Sequence, residues 1–184
     1  MDNGDRCCRR FLSGDESAFD EIMQNYRPGL TFFIDRIVHD PDAAEDIAVD
    51  VFAHILLHPH RYDGRASFKT YLYTLGRSRA LDFLRHRRRA AAVSLEEAAE
   101  LPADPGSDPE ACLLADERRR IVHTALDRLS PERRMAVHLV YFAGLSYDET
   151  ARVMKKTRKQ VDNLLYRAKG ELRSIIGEEG IRLL

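Results

Sequence analysis

Asp46, Asp50, His54 and His58 follow one another at four-residue intervals, a spacing that stacks side chains along one flank of a helix. Carboxylates and imidazoles in such a row could hold a metal ion. A two-metal helical bundle, however, draws Glu-x-x-His pairs from two helices, and this chain has none. It also lacks a phosphate-binding loop, a nucleophile elbow and zinc-type Cys/His spacing, so neither a metal nor a cofactor is expected. The densest positive charge is Arg85-His-Arg-Arg-Arg89. One or two cations would suffice to complement a helix C-terminus. Five basic residues in a row, downstream of Tyr62, Phe68, Tyr71 and Tyr73, are the mixture that holds a single strand, with cations on the phosphates and aromatic faces under unstacked bases. A second polar set, Arg158, Lys159, Asp162, Asn163, Tyr166 and Arg167, shares one helical face opposite Val161, Leu164, Leu165, Ala168 and Leu172. Asn can bond adenine bidentately and Lys or Arg guanine, so this face could read a major groove. Cys7-Cys8 could be oxidised, but a frayed terminus with free thiols is the plainer expectation.

The elements that must carry these residues are helices. Ser13-Gly-Asp-Glu16 and Ser146-Tyr-Asp-Glu149 both have the form of a capping box. Asp40-Pro41, Asp108-Pro109 and Ser130-Pro131 pair a cap residue with proline at the first helical position, and Thr157 is a further cap. Apolar residues recur at helical spacing, as in Leu30, Phe33, Ile34, Ile37 and Val38, and alternating strands are not evident. Pro28 should kink or split its helix. The fold class expected is all-α: two small helical domains joined by a flexible linker, the C-terminal one containing a helix-turn-helix. The organisation reads as a flexible N-terminus over 1–10, a domain over 11–89, a Pro/Ala/acid-rich linker over 90–110 that holds no amphipathic face, and a domain over 111–184. In the second domain a short capped helix, Leu145–Met154, meets a polar-faced helix through Lys155-Lys-Thr-Arg158, with Lys155 where such turns often carry glycine.

Charge and length narrow the classes. Lys and Arg number 29 against 30 Asp and Glu, for a net charge of −1. A protein that gripped DNA unaided through phosphates would usually be strongly basic, so a partner must supply affinity or the charge must be locally sorted. No apolar run approaches the roughly 20 residues of a membrane span, and MDNGDRCCRRF is no signal peptide, so a cytoplasmic protein without membrane insertion is expected. In PDAAEDIAVDVFAHILLH the core face is Ala44, Ile47, Ala48, Val51 and Ile55, while Asp46 and Asp50 share the other side with Val49, Ala53, Leu56 and Leu57. Two readings stand: a docking surface for another protein, or a side covered by a further helix of the same domain.

The run AFDEIMQNYRPGL…DPDAAEDIAVDVF…YDGRASFKTYLYTLGRSRALDFLRHRRR, followed by LDRLSPERRMAVHLVYFAGLSYDETARVMKKTRKQVDNLLYRAKGEL, resembles the extracytoplasmic-function sigma factors of the sigma-70 family. The likeness covers about residues 11–89 and 114–176. It implies that Glu45, Asp46, Val49, Asp50, Ala53, Leu56 and Leu57 dock on the clamp helices of the polymerase β′ subunit. It implies that the loop and helix start holding Tyr62, Asp63, Gly64, Arg65, Ser67, Phe68 and Lys69 capture a flipped base of the minus-ten element, with Tyr71 where a tryptophan is common. It places Arg77, Ser78, Arg79, Asp82, Arg85 and Arg88 on the promoter-melting helix. Thr157, Arg158, Lys159, Gln160, Asp162, Asn163, Tyr166 and Arg167 fall on the helix that reads the minus-thirty-five element. Val49 replaces a frequent glutamine, and Ser78 a typical asparagine. The partners implied are core RNA polymerase (β′ and β), promoter DNA and an anti-sigma factor. The competing reading is an autonomous helix-turn-helix regulator that dimerises on duplex DNA. The sigma reading makes the chain no enzyme.

Overall fold

The structure, a computed structural model, describes residues 3–93 and 124–181. The N-terminal domain is built from α1 (Asn3–Leu12), α2 (Ser17–Val38), α3 (Pro41–Leu57), a short 3-10 turn (Pro59–Arg61) and α4 (Phe68–Val93). After a helical turn at 124–127, the C-terminal domain has α5 (Pro131–Val137), which widens into a π-helical turn (His138–Phe142), then α6 (Tyr147–Met154) and α7 (Arg158–Ile181). The described residues are helical with no strand, as expected. The linker beyond Val93, Asp108-Pro109 and Cys112 lie outside the described residues.

Local chemistry sets most boundaries. Asp40 caps α3 by accepting from the Ala43 amide at 3.1 Å, and Pro41 occupies the first helical position, where its missing N–H costs nothing. The turn before it closes because His39 adopts a left-handed backbone, φ 54°, and donates its N–H to Asp35 O at 2.8 Å. Pro28 does not split α2, which runs unbroken through it. An interior proline costs about 3 kcal/mol, but α2 buries Ile22, Leu30, Phe33, Ile34 and Val38, each contributing roughly 1.5–3 kcal/mol.

Two expectations at the N-terminus need correction. Ser13-Gly-Asp-Glu16 forms no capping box: the Ser13 hydroxyl donates back to Arg10 O, and Asp15 accepts from the Ser17 amide and hydroxyl. Nor do residues 3–10 fray. Cys7 and Cys8 are buried in α1 against the core. Burial pushes both thiols up, Cys8 to about 11, which leaves them protonated and poor nucleophiles. The short apolar stripe of α1 thus extends the first domain toward the chain start.

The C-terminal domain is held by its caps. The expected box at Ser146 is complete: Ser146 Oγ accepts from the Glu149 amide at 3.3 Å, and Glu149 Oε2 accepts from the Ser146 amide at 2.9 Å. Thr157 and Gln160 form a second reciprocal pair at the start of α7, at 3.2 and 2.8 Å. Between the helices Lys155 takes φ 54°, and the amides of Lys155 and Lys156 return to Arg152 O and Ala151 O. This is a left-handed helix end of the kind glycine usually supplies. Val161, Leu165, Ala168 and Leu172 of α7 are buried, with Ala151, Val153 and Met154 of α6, as the periodicity predicts. The two domains also touch, α6 against α4 and α5 against α2.

Lys155→Gly should relieve the strained turn and raise the stability of the C-terminal domain by about 0.5–1 kcal/mol, read as a higher midpoint in chemical denaturation. A lower midpoint would mean that the lysine side chain holds this turn rather than tolerating it.

Candidate nucleic-acid and protein interfaces

The α3 flank lies open. Val49, Leu56 and Leu57 are 46%, 49% and 72% exposed, and Asp46, Asp50 and Ala53 are exposed beside them. No further helix among the described residues covers this side, so that reading falls. Glu45 differs from its neighbours: half-buried, it pairs with Arg27 and accepts from Thr31 Oγ1 at 3.2 Å, which ties α3 to α2. Phe52 sits in the core beneath the flank. The Asp/His row is not one flank, since His54 turns toward Arg79, 3.5 Å away, and His58 leaves the helix as its cap. Burial and the Arg79 charge keep the His54 pKa low.

The loop at 62–67 is folded by its own side chains. Asp63 accepts from the Arg65 amide at 3.1 Å around Gly64, whose φ of 71° suits a residue without Cβ. The Tyr62 hydroxyl donates to Ala66 O at 2.8 Å. Asp5 of α1 reaches in and accepts from the Phe68 amide at 2.7 Å, satisfying a donor at the start of α4. Phe68 itself is fully buried, edge-on to Tyr26 and Tyr62. It therefore cannot receive a base and is a correction to the expected strand surface. Tyr71 is half-buried, its ring 5.3 Å from Tyr62. Asp63, Gly64, Arg65, Ser78, Arg85 and Arg88 are exposed, whereas Ser67, Lys69 and Arg77 are half-buried. Arg85 bonds Asp82 at 2.6 Å.

On α7 every expected reader is exposed: Arg158, Lys159, Asp162, Asn163, Tyr166 (80%) and Arg167. Thr157 and Gln160 bond each other across the start of α7 and so fix where the helix begins. Arg158 pairs with Asp148 at 2.9 Å. A shallow cleft of about 480 Å³ is lined by Arg158, Lys159, Asp162 and Tyr147. Tyr147, from the first turn of α6, lines this cleft beside the α7 residues, a juxtaposition that periodicity along one helix does not show.

Also unforeseen is a polar and aromatic seam between the domains. Glu149 uses Oε2 for its cap and Oε1 to accept from Ser67 Oγ at 2.6 Å and Thr70 Oγ1 at 3.1 Å. Burial opposes its charge, yet the hydrogen bonds from Ser67, from the Ser146 amide and hydroxyl and from Thr70 prevail and hold its pKa at about 2. Arg36 bonds Asp127 at 3.2 Å. Arg134, nearly buried, donates to Asp127 O at 2.6 Å and to His39 Nε2 at 3.0 Å. His138 lies among Phe32, Phe33 and Phe142 with ring separations of 5.2, 5.3 and 5.5 Å. Burial lowers the Arg77 pKa against the pull of Glu132, and its Nε has no hydrogen-bond partner among the described residues. Such an unfilled buried donor costs about 1–3 kcal/mol.

The described residues thus present an open acidic-apolar flank, a basic helix beside a structured loop, and a capped helix-turn-helix. Residues 22–90 match Sigma-70 region 2, and residues 119–172 match Sigma-70 region 4. The RNA polymerase sigma-H factor of Pseudomonas aeruginosa is 30% identical over 167 residues, covering 87% of this chain and 86% of that one. The sigma factor CarQ of Myxococcus xanthus is 28% identical over 169 residues, 92% of this chain and 95% of that one. The sigma factor RpoE from Bartonella quintana, solved in complex with the anti-sigma factor NepR, shares the fold with a TM-score of 0.69 at 22% identity, over 87% of this chain and 97% of that one. The chain belongs to the extracytoplasmic-function group of the sigma-70 family of RNA polymerase sigma factors. A match through both domains favours the initiation factor over a self-sufficient dimeric regulator. Among the described residues no helix is long and apolar enough to cross a membrane.

Asp5→Ala should remove a cap from α4 at a cost of about 1 kcal/mol and speed amide exchange across 62–70; unchanged exchange there would make the α1 contact incidental. Glu149 sits well below its ordinary 4.5, so its contribution is complete above that pH and is lost as pH falls toward 2. Glu149→Gln should therefore flatten the loss of melting temperature over that window, whereas a parallel curve would remove Glu149 from the acid response.

Proposed function

We propose that the chain directs core polymerase to promoters by dividing labour among three faces. The α3 flank at Asp46, Val49, Asp50, Ala53, Leu56 and Leu57 docks on the β′ clamp helices, with Glu45 as its brace. The loop at 62–67 and the α4 face bearing Lys69, Tyr71, Arg77, Ser78, Arg85 and Arg88 hold the unstacked minus-ten strand. The α7 face at Arg158, Lys159, Asp162, Asn163, Tyr166 and Arg167 reads the minus-thirty-five duplex. The observation that carries this reading is the exposed, mixed acidic-apolar side of α3. Solvent-facing helices keep such large apolar residues apart, whereas interfaces gather them beside polar rims.

The physics is consistent with a net charge of −1. Phosphate contacts from a handful of arginines give weak, salt-sensitive binding on their own; polymerase adds the rest by holding both domains over one promoter. Unpairing and flipping bases costs a few kcal/mol, which phosphate contacts along α4 and the loop pocket offset. This chain makes and breaks no covalent bonds in the process, and it acts in the cytoplasm, where polymerase is. RpoE from Bartonella quintana is solved with the anti-sigma factor NepR, and we extend that class of partner to this chain.

In transcription reconstituted with core polymerase, Arg85→Ala with Arg88→Ala should impair promoter opening, read by permanganate footprinting, and leave polymerase affinity nearly unchanged. Asp50→Ala with Leu57→Ala should do the reverse, weakening polymerase binding by about tenfold or more, as loss of interface anchors does. Equal loss of both activities in both variants would contradict the division.

A further inference from the structure

We infer that Asp162 sets the sequence preference of the α7 face, selecting a C·G base pair in one orientation within the upstream element by accepting from the cytosine N4 amino group. The inference deepens the proposal that α7 reads duplex DNA, and it rests on that reading. Its basis is a carboxylate out of place. Arg158, Lys159 and Arg167 share the exposed face with Asp162, and DNA phosphates attract the three cations while repelling the acid. An aspartate among cations on a helix is ordinarily accounted for by an ion pair three or four residues away. Here it is not. Arg158, four residues before Asp162, is held by Asp148 of α6 at 2.9 Å. Glu132 takes Lys156 and Glu171 takes Arg133, Asp127 takes Arg36, and Glu149 is bonded at both oxygens. Among the described acids of the C-terminal domain, Asp162 alone has no such partner.

An ionised carboxylate only accepts hydrogen bonds. In the major groove guanine shows two acceptors, and thymine an acceptor and a methyl group, so neither base has a donor for Asp162. Adenine offers its N6 amino group beside the N7 acceptor, which repels the second carboxylate oxygen. Cytosine offers N4 with no acceptor of its own in the groove, and it is the base that a carboxylate suits. Repulsion from the flanking phosphates is offset only where that bond forms. Discrimination then comes from a penalty on the wrong bases as much as from a gain on the right one. The place on the helix agrees. Asp162 follows the Thr157 cap by five residues, in the N-terminal part of the second helix, which meets base edges in helix-turn-helix proteins. With Tyr147, Arg158 and Lys159 it lines the shallow cleft at the start of α7. Half-buried Tyr147 gives that cleft an aromatic wall, and a hydrogen bond shielded from water on one side is electrostatically stronger. Lys159 and Arg158 are left to phosphates or guanine.

The test is transcription by core polymerase reconstituted with the full chain. The templates are a pool randomised through both promoter elements, each carrying a transcribed barcode, so that sequencing the transcripts gives the base preference at every position. Wild type should favour one C·G orientation at one base pair of the upstream element by about tenfold, within the cost of a single mismatch. Asp162→Ala should level that position and leave the rest of both elements unchanged. Asp162→Asn should convert it to A·T, with adenine on the strand that held cytosine, because an amide bonds adenine N6 and N7 together. Position 162 is exposed and outside the core and the caps, so both variants keep the fold. A wild-type preference other than C·G at the position that Asp162→Ala levels overturns the cytosine assignment. Selectivity lost evenly across the upstream element reduces Asp162 to a general charge and overturns the inference. Arg167→Ala separates this inference from the reading beneath it. If Arg167→Ala alters upstream selection and Asp162→Ala does not, the role of Asp162 falls while α7 remains the reader. If neither variant alters it, or if no transcription depends on the chain, the underlying reading has failed and this inference with it.

Discussion

A helix that buries one stripe against its neighbours leaves its far side to solvent, and on α3 that far side carries large apolar residues between aspartates. The packing of α3 in the first domain follows from this constraint. The stripe of Ala44, Ile47, Ala48, Val51, Phe52 and Ile55 goes inward and fixes how α3 lies on α2 and α4. Glu45 is drawn down to Arg27 and Thr31, so the flank begins at Asp46. Val49, Leu56 and Leu57 gain only part of what full burial would give, because much of their surface remains in water. Roughly 25 cal/mol per Å² of apolar surface is left for a partner to recover, and the proposed docking on polymerase would draw on that reserve.

The same economy explains the C-terminal domain. A helix-turn-helix must present the start of its second helix at a fixed angle, and here two reciprocal caps set that angle. Ser146 with Glu149 opens α6, and Thr157 with Gln160 opens α7. Gln160 thereby braces the start of α7, and the proposed base contacts rest on the side chains that point outward. Lys155 keeps the turn tight at the expense of a left-handed backbone. Glu149 is the residue that joins the two domains' designs. One of its oxygens finishes a helix and the other spans to Ser67 and Thr70 of the first domain.

Much of this is legible from residue types. The Asp40-Pro41 start, the Ser146 box, the buried face of α7 and the mixed flank of α3 all follow from rules that act over three or four residues. What escapes is decided over longer distances. Pro28 is a helix breaker locally, but the core beneath α2 outweighs it. Ser13 has the right neighbours for a cap, but the end of α1 takes its hydroxyl first. Phe68 shares the core face of its helix with Leu72 by spacing yet also has the right type for base stacking, and its enclosure by Tyr26 and Tyr62 decides between the two. Asp5 caps α4 from 63 residues away, and no periodicity carries that. The seam among Phe32, His138 and Phe142 left one trace in the sequence, a histidine within the apolar run MAVHLVYF, which helical spacing alone assigns to an ordinary core.

Photocrosslinking of the assembled initiation complex reaches the central claim most directly. With a crosslinking residue in place of Leu57, the account requires covalent capture of the large polymerase subunit β′, and with one in place of Tyr166, capture of upstream promoter duplex. Crosslinks from position 57 that stay within the chain itself, or that reach DNA and no polymerase subunit, would contradict it.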